Sequence, residues 1–160
     1  MALKLLMHTA LRTGELRSGK WRDVNLTRRE WRVPAEKMKM RQEHVVPLSS
    51  QVCEIFAELK KITGFQDWLF PNQQGRVHPT MSENTINTLI RRMGYQGRVV
   101  GHGFRALFST MLNEAGFNPD AIERQLAHQE RNVVRAAYNR SEYWVDRKEM
   151  MQWWSDFLSR

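Results

Sequence analysis

A set of arginine, histidine and tyrosine side chains has the composition needed to bind and attack a phosphodiester without a metal ion. Arg12 lies near the start of the chain, and His102 and Arg105 stand three residues apart in GHGFR. His128 follows in QLAH, and Tyr138 comes ten residues later in RAAYNR. Guanidinium groups bind phosphate oxygens in bidentate fashion, imidazoles move protons near neutral pH, and a tyrosine hydroxyl can be a covalent nucleophile. The set therefore indicates phosphoryl transfer.

Each of these residues has a simpler structural interpretation when it is taken alone. Arg12 would then be a helix-terminal charge that the helix dipole favours, and Tyr138 a half-buried amphipathic side chain. Tyr143 is a rival nucleophile, but the distance from His128 and the RAAYNR context favour Tyr138. The occurrence of all of them in one chain favours a functional site over the separate interpretations.

Composition limits the class of protein and its partners. The 160 residues are enough for one domain with a core, and 41% of them are hydrophobic. The net charge of +8 favours a polyanionic partner, either nucleic acid or an acidic membrane face. No run approaches the roughly 18 apolar residues of a membrane-spanning helix. The single cysteine, Cys53, excludes an internal disulfide, indicates a reducing compartment, and is expected to be a buried structural thiol.

Hydrophobic periodicity and turn signals predict a mainly α fold with a small antiparallel β-sheet, which is an α+β class. VNL, EWRVP and HVVPL are the predicted strands, and the basic stretch AEKMKMRQ between the last two should form a hairpin tip with Lys37 and Lys39 pointing outward. Ser82 is expected to cap the helix that begins there. A second short helix is predicted in GELRSGKW, ending near Gly19. The other predicted helices cover residues 2–10, 50–63, 82–93, 103–115, 119–127, 131–138 and 143–159.

These segments together resemble a known family of DNA-joining enzymes. ALRTGELR, HGFR, QLAH and RAAYNR, with KMKMRQEHVVPLS, are similar to the catalytic domain of tyrosine recombinases, and most closely to phage-type integrases of satellite phages and genomic islands. The resemblance covers essentially the whole chain. It implies that residues 1–160 form a single catalytic domain with the fold of DNA breaking-rejoining enzymes. It also implies that the arm-binding and core-binding domains, which precede this region in such integrases, are absent from this chain.

The resemblance assigns a role to each matched residue of the phosphodiester site. Arg12 and Arg105 would clamp the scissile phosphate, and Tyr138 would form a 3′-phosphotyrosine. Lys39 would protonate the leaving 5′ oxygen, with Lys37 as the second candidate. The DNA-binding side chains would be the same two arginines and two lysines.

The resemblance also implies roles for the residues that support this site. His102 would act on the tyrosine proton, His128 would hydrogen-bond the phosphate, and Glu15 would orient the first arginine. No cofactor is expected, because a phosphotyrosine linkage keeps the energy of the broken bond and rejoining then needs neither ATP nor a metal.

The implied function is site-specific DNA recombination, which integrates or excises a mobile element. Its partner would be double-stranded DNA at attachment sites, with a monomer in free solution, a tetramer on DNA, DNA-bending accessory proteins and no membrane. The implied location is the bacterial cytoplasm, at the nucleoid. Two alternatives remain: DNA relaxation like that of type IB topoisomerases, and an inactive DNA-binding remnant. The HGFR and QLAH contexts favour an integrase over the former, and the presence of every matched residue disfavours the latter.

The last predicted helix carries an apolar stripe at helical spacing, which must be buried somewhere. It can pack on its own domain. In the family the segment after the tyrosine docks on a neighbouring subunit, so the resemblance implies docking in trans on DNA as well. The stripe consists of Met150, Trp153, Trp154, Phe157 and Leu158.

Overall fold

A computed structural model describes residues 1–38, 41–72, 78–128 and 142–160. The secondary structure is mostly helical with one three-stranded antiparallel sheet, as the sequence predicts. In chain order the elements are α1 (Ala2–Thr9), α2 (Thr13–Arg17), β1 (Val24–Asn25), β2 (Glu30–Val33), β3 (His44–Pro47), α3 (Ser50–Thr63), α4 (Thr85–Ile90), α5 (Gly103–Glu114), α6 (Pro119–Gln125) and α7 (Trp144–Leu158). Short 3-10 turns cover Trp21–Asp23 and Ala35–Lys37, and a π-helical turn covers Arg91–Tyr95.

The sheet runs in the order β1-β2-β3 and packs against α3. Trp31 on β2 pairs with Val24 on one side and with Val46 on the other. Its ring is fully buried and meets the ring of Phe56 edge-on, with the centroids 5.5 Å apart. Aromatic and β-branched residues suit a half-buried pleated surface, which explains why these short runs form strands.

Helix α3 has the bounds that its sequence predicts. The Ser49 hydroxyl accepts a hydrogen bond from the Val52 amide at 3.3 Å, which caps the first turn. Val52, Phe56 and Leu59 follow at helical spacing and are buried in the first core cluster. This cluster also contains leucines of α1 and α2, so the sheet, α3 and the first two helices pack around one hydrophobic core.

A second core cluster lies among α5, α6 and α7. Phe108 on α5 meets Trp154 on α7 edge-on at 5.4 Å, and Ile122 of α6 is buried beside them. The apolar stripe of α7 therefore packs on its own chain, with Met150 and Trp154 buried. Asn118 caps α6 and Pro119 occupies its first turn.

Some sequence predictions differ from the structure. Helix α4 begins at Thr85 and not at Ser82, because the Ser82 hydroxyl accepts the Asn84 amide in a turn before the helix. Cys53 is half-buried at the edge of the first core, and this burial raises the pKa of its thiol. The predicted helix at 131–138 lies outside the described residues. Within the described ranges, no helix has the length and apolarity to cross a membrane.

Candidate active site

Three distant segments bring Arg12, Arg105 and His128 to one place. On α5, Arg105 donates from Nη1 to the Ala10 carbonyl at 2.5 Å, and its Nη2 lies 3.2 Å from Nε2 of His128. Arg12 Nη2 donates to the Ala127 carbonyl at 3.4 Å. The α1–α2 connection, the start of α5 and the turn after α6 thus meet around two guanidinium groups.

Glu15 fixes the first arginine from two directions. The Arg12 amide donates to Oε2 of Glu15 at 2.9 Å, and Nη1 of Arg12 donates to Oε1 at 2.8 Å. Arg12 precedes the first residue of α2, so the carboxylate also accepts an N–H from the beginning of that helix. Glu15 is buried, whereas the Arg12 side chain is 26% exposed. The carboxylate therefore holds a partly accessible guanidinium in one orientation.

Arg105 is a buried cation whose hydrogen-bond acceptors among the described residues include no carboxylate. Besides Ala10 and His128, its Nη2 donates to the Leu126 carbonyl at 2.6 Å, and its Nε has no partner among the described residues. Burial, followed by the nearby Arg12 guanidinium, lowers the pKa of Arg105 to about 10, so the side chain stays charged at neutral pH. A phosphate between these two cations would relieve their repulsion and accept several charge-assisted hydrogen bonds.

His128 is oriented by contacts at both ring nitrogens. Nδ1 lies 2.8 Å from Oε2 of Glu123, and Nε2 faces Arg105. A carboxylate on one nitrogen fixes the ring and sets which nitrogen carries a proton. The His128 side chain is exposed; its contact with Glu123 lies at the surface, whereas its contact with Arg105 is partly buried.

Two alanines in the left-handed region shape the site, and the sequence gives little sign of them. Ala10 has φ 52° and Ala127 has φ 48°. Their carbonyls are the acceptors for Arg105 and Arg12 respectively. Such a conformation costs a non-glycine residue roughly 1–2 kcal/mol and is typical of functional sites. The strained backbone therefore supplies the oxygens that position both guanidinium groups.

The other predicted site residues either lie beside this group or fall outside the described residues. His102 is exposed at the beginning of α5, one turn before Arg105, and its carbonyl accepts the Arg105 amide at 3.2 Å. Tyr138 and Lys39 lie outside the described residues. The structure thus brings together Arg12, Arg105, His128 and Glu15, with His102 at the same end of α5.

Lys37 does not point outward, and that prediction is wrong. Its side chain is 14% exposed, and Nζ lies 3.0 Å from Oδ2 of Asp23. The ammonium also lies 5.8 Å from the centre of the Trp68 ring. This largely desolvated ion pair attaches the start of the β2–β3 connection to the Trp21–Asp23 turn, so contact with DNA would require the pair to break.

The β2–β3 hairpin borders the His128 turn across a small cavity of about 80 Å³. Residues from both ends of the β2–β3 connection line one side of the cavity, and the end of α6 with the turn that follows lines the other. The lining residues are Met38, Gln42, Glu43, His44, Arg124, Ala127 and His128. The hairpin is therefore adjacent to the turn that carries His128.

Sequence reasoning missed Arg147, the most deeply buried cation described. Its Nε and Nη2 donate to Oε1 of Gln125 at 3.0 and 2.9 Å, and Nη2 also donates to the Val45 carbonyl. Burial, and then Arg124, lower the pKa of Arg147 to about 10. Helical spacing was an available signal, because Arg147 lies on the same face as Met150 and Trp154.

The described residues contain no group of three or more His, Cys, Asp or Glu side chains that could hold a metal ion. Their arrangement instead provides two guanidinium groups, a carboxylate-oriented imidazole and a second histidine one helical turn away. Such a set binds a tetrahedral anion and moves protons next to it.

Comparisons with known proteins find similar chains among phage integrases. A model of the phage integrase family matches residues 1–144. The integrase of Enterobacteria phage P4 is 43% identical over an alignment that is 174 residues long with its gaps. The alignment covers 99% of this chain and 39% of that protein. This chain spans about two fifths of the length of the curated relatives that it matches.

Solved structures show the same fold at lower identity. The integrase from mycobacterium phage Brujita superposes with a TM-score of 0.71 at 23% identity, over 94% of this chain and 50% of that one. The integrase of the Tn1549 transposon, in complex with transposon right end DNA, gives a TM-score of 0.66 at 19% identity, over 99% and 58%. The mainly helical arrangement with a small sheet is therefore that of recombinase catalytic domains.

Proposed function

The chain belongs to the phage integrase family, and from that membership we propose that it is the catalytic domain of a tyrosine-type site-specific recombinase. The observation that carries the proposal is the convergence of Arg12, Arg105 and His128 from three distant segments. Double-stranded DNA fits as the substrate because the chain carries a net charge of +8. The Tn1549 integrase, which has a similar fold, was solved with transposon DNA.

The two guanidinium groups bind the non-bridging oxygens of the scissile phosphate. The Arg12 side chain is 26% exposed and can meet an anion directly, and Arg105 beside it contributes its charge and a buried Nε that has no partner in the described part of the chain. Charge on these oxygens increases in the pentacoordinate transition state. Pre-positioned donors aimed at developing charge are worth roughly 3–4 kcal/mol each, and Glu15 and the strained alanine carbonyls provide that positioning.

The proposed reaction exchanges one phosphodiester for another. The Tyr138 oxygen forms a bond to phosphorus, the bond from phosphorus to the 5′ oxygen breaks, and the products are a 3′-phosphotyrosine and a 5′-hydroxyl. His102 takes the tyrosine proton, and Lys39 gives a proton to the leaving oxygen. His128 hydrogen-bonds the phosphate from the ring edge beside Arg105. Attack by a 5′-hydroxyl of the partner strand reverses these steps and rejoins the DNA.

The biological context of this activity extends beyond the chain. The proposed substrates are attachment sites of a mobile element, recombined by a tetramer that forms on DNA from free monomers, with accessory proteins that bend the DNA. Arm-binding and core-binding domains would belong to the complete recombinase, and its place would be the bacterial cytoplasm at the nucleoid. Since α7 packs on its own chain in the monomer, docking on a neighbour would involve its release on DNA.

DNA relaxation of the type IB topoisomerase kind is the less favoured alternative. It would use the same arginine, lysine, histidine and tyrosine chemistry without pairing two sites. The family match and the HGFR and QLAH contexts favour recombination. A plasmid relaxation assay separates the two, because a recombinase domain alone should leave most supercoils in place.

A nicked suicide DNA substrate tests the proposal directly, since cleavage traps the protein as a covalent adduct. Tyr138→Phe should abolish the adduct and leave DNA binding nearly unchanged, because one hydroxyl contributes little to phosphate affinity. Tyr143→Phe is the matched control, and its hydroxyl donates to Oδ2 of Asp120 at 3.2 Å. Adduct formation by Tyr138→Phe together with its loss in Tyr143→Phe would refute the assignment of the nucleophile. Absence of adduct with the unmodified chain would refute activity of this domain and favour the inactive remnant.

A further inference from the structure

The contact between α7 and the β2–β3 hairpin passes through one buried side chain. Arg147 is 0% exposed and lies in the first turn of α7, where the Tyr143 carbonyl accepts its amide at 2.8 Å. From there its guanidinium reaches β3, at the Val45 carbonyl, and α6, at the Gln125 side chain. One planar group therefore joins three elements that are far apart in the sequence.

Both residues that accept hydrogen bonds from Arg147 on neighbouring elements, Gln125 and Val45, lie close to the candidate active site. Gln125 is the last residue of α6 and lies three positions before His128. Its Nε2 also donates to the Thr9 carbonyl at 3.3 Å, next to the strained Ala10. Val45 follows His44, which lines the cavity shared with His128. Arg147 thus sets the separation between the hairpin and the His128 turn.

The contacts of Arg147 are suited to orientation and less to stability. Within the described residues, its acceptors at hydrogen-bond distance are the neutral oxygens of Gln125, Val45 and Glu142, the last through its carbonyl at 3.4 Å. The Glu142 carboxylate lies farther away, with Oε2 3.9 Å from Nη1, and it is also bonded to Arg124. Buried charge without a close partner is costly compared with an apolar side chain of similar volume. The rigid fork, however, holds two acceptors in a fixed geometry.

We infer that Arg147 is a positioning residue for strand cleavage: by bonding Val45 and Gln125 together, it holds the hairpin at the distance from the His128 turn that protonation of the leaving 5′ oxygen requires. This inference rests on the proposed function, because the acid is assigned to the connection between β2 and β3, where the sequence has Lys39. Arg147 itself is fully buried, so the inference gives it no contact with the DNA or with the reacting atoms.

The test compares two suicide substrates, one with an ordinary 5′ oxygen and one with a bridging 5′ sulfur. Sulfur leaves as a thiolate and needs no acid, so a misplaced hairpin should matter only for oxygen. Arg147→Met keeps most of the volume and removes the bonds, and Arg147→Lys keeps the charge without the fork. Lys148→Met is the control, because Lys148 is the exposed neighbour on the same helix.

With oxygen, we expect Arg147→Met to form adduct about 100-fold more slowly, the size of effect that a displacement of about 1 Å produces. With sulfur, the defect should fall to less than about 3-fold. Arg147→Lys should be intermediate, and Lys148→Met should match the unmodified chain. Thermal melting and DNA binding are measured for every variant, so that the rates refer to folded protein with equal occupancy.

Three outcomes would overturn the inference. An unchanged rate with oxygen would show that the contact is dispensable, and equal defects on oxygen and sulfur would show that it does not act through the acid. Loss of the folded state in both Arg147 variants would make the residue purely structural. The proposed function fails separately, because it requires the unmodified chain to form adduct and that result does not depend on Arg147.

Discussion

The α5–α6 region and the α7–β3 region each contain a buried arginine, and the two arginines are used differently. Arg105 and Arg147 are 5% and 0% exposed, and burial is the main cause that lowers the pKa of each to about 10. Both donate mainly to neutral oxygens. In Arg147, Nε is bonded, whereas in Arg105 the Nε has no partner within the described residues.

Under the proposed function, this difference separates a guanidinium that binds the phosphate from one whose donors already have acceptors. Arg105 faces a second cation, Arg12, and an exposed imidazole, so an anion at this place gains both charge and hydrogen bonds. Arg147 has the Glu142 carboxylate within 3.9 Å and bonds two fixed acceptors. Burial alone therefore does not identify a phosphate-binding arginine; the donors that remain and the charges around them do.

The largest effect should come from Arg105→Met. This change removes a charged donor from the transition state, so adduct formation should fall about 10³-fold. The defect should be the same for oxygen and sulfur substrates, because the arginine stabilises charge on the non-bridging oxygens whichever atom leaves. Arg22→Met serves as the control, since the Arg22 side chain is 71% exposed. Recovery of Arg105→Met by the sulfur substrate would remove the distinction from Arg147.

The second effect is a pH dependence of the free energy of unfolding, which comes from His44 beside the Arg147 charge. His44 is buried, and burial, followed by the Arg147 charge, lowers its pKa to about 3. The unfolded chain therefore binds a proton at His44 between pH 6.5 and about 3 that the folded chain does not. The free energy of unfolding should consequently decrease as the pH falls through this window, by up to about 1.4 kcal/mol per pH unit from this group.

Urea unfolding at pH 7.0, 5.5 and 4.5 measures that dependence. His44→Gln should have a shallower loss of stability on acidification than the unmodified chain, whatever its stability at pH 7. His78→Gln, which changes an exposed histidine, should retain the original dependence. His8 contributes in the same direction, since burial lowers its pKa as well, so part of the dependence should remain. If the free energy of unfolding of His44→Gln falls with pH as steeply as that of the unmodified chain, the α7–β3 region tolerates a protonated His44 beside Arg147.

Local patterns predict the scaffold well because the forces that form it are local. The Ser49 cap, the apolar spacing of α3 and the Asn118–Pro119 start of α6 are each contained within a few residues. For the cap and the two helices, the sequence segment already contains the partners that decide the outcome. Type and context selected Arg12, Arg105 and His128, but contacts between distant segments bring these side chains together.

Contacts between distant segments could not be predicted in the same way. The Lys37–Asp23 pair depends on how the β2–β3 connection folds over an earlier turn. The left-handed conformations of Ala10 and Ala127 are stabilised by bonds from arginines that are distant in the sequence, since alanine has no preference for them. The partners of Arg147 are 22 and 102 residues away. Tertiary contacts, and not local preference, place these groups.

The smallest effect should distinguish the arginines by their access to phosphate. A domain that makes about six phosphate contacts should show a slope of about −5 when the logarithm of the binding constant is plotted against that of the salt concentration. Arg12→Met removes one accessible contact and should make the slope less negative by about 0.9. Arg147→Met should leave the slope unchanged, because a fully buried side chain releases no counterion from DNA. Fluorescence anisotropy with a labelled duplex between 50 and 200 mM salt measures all three slopes, and an equal change for both variants would mean that Arg147 reaches a phosphate after all.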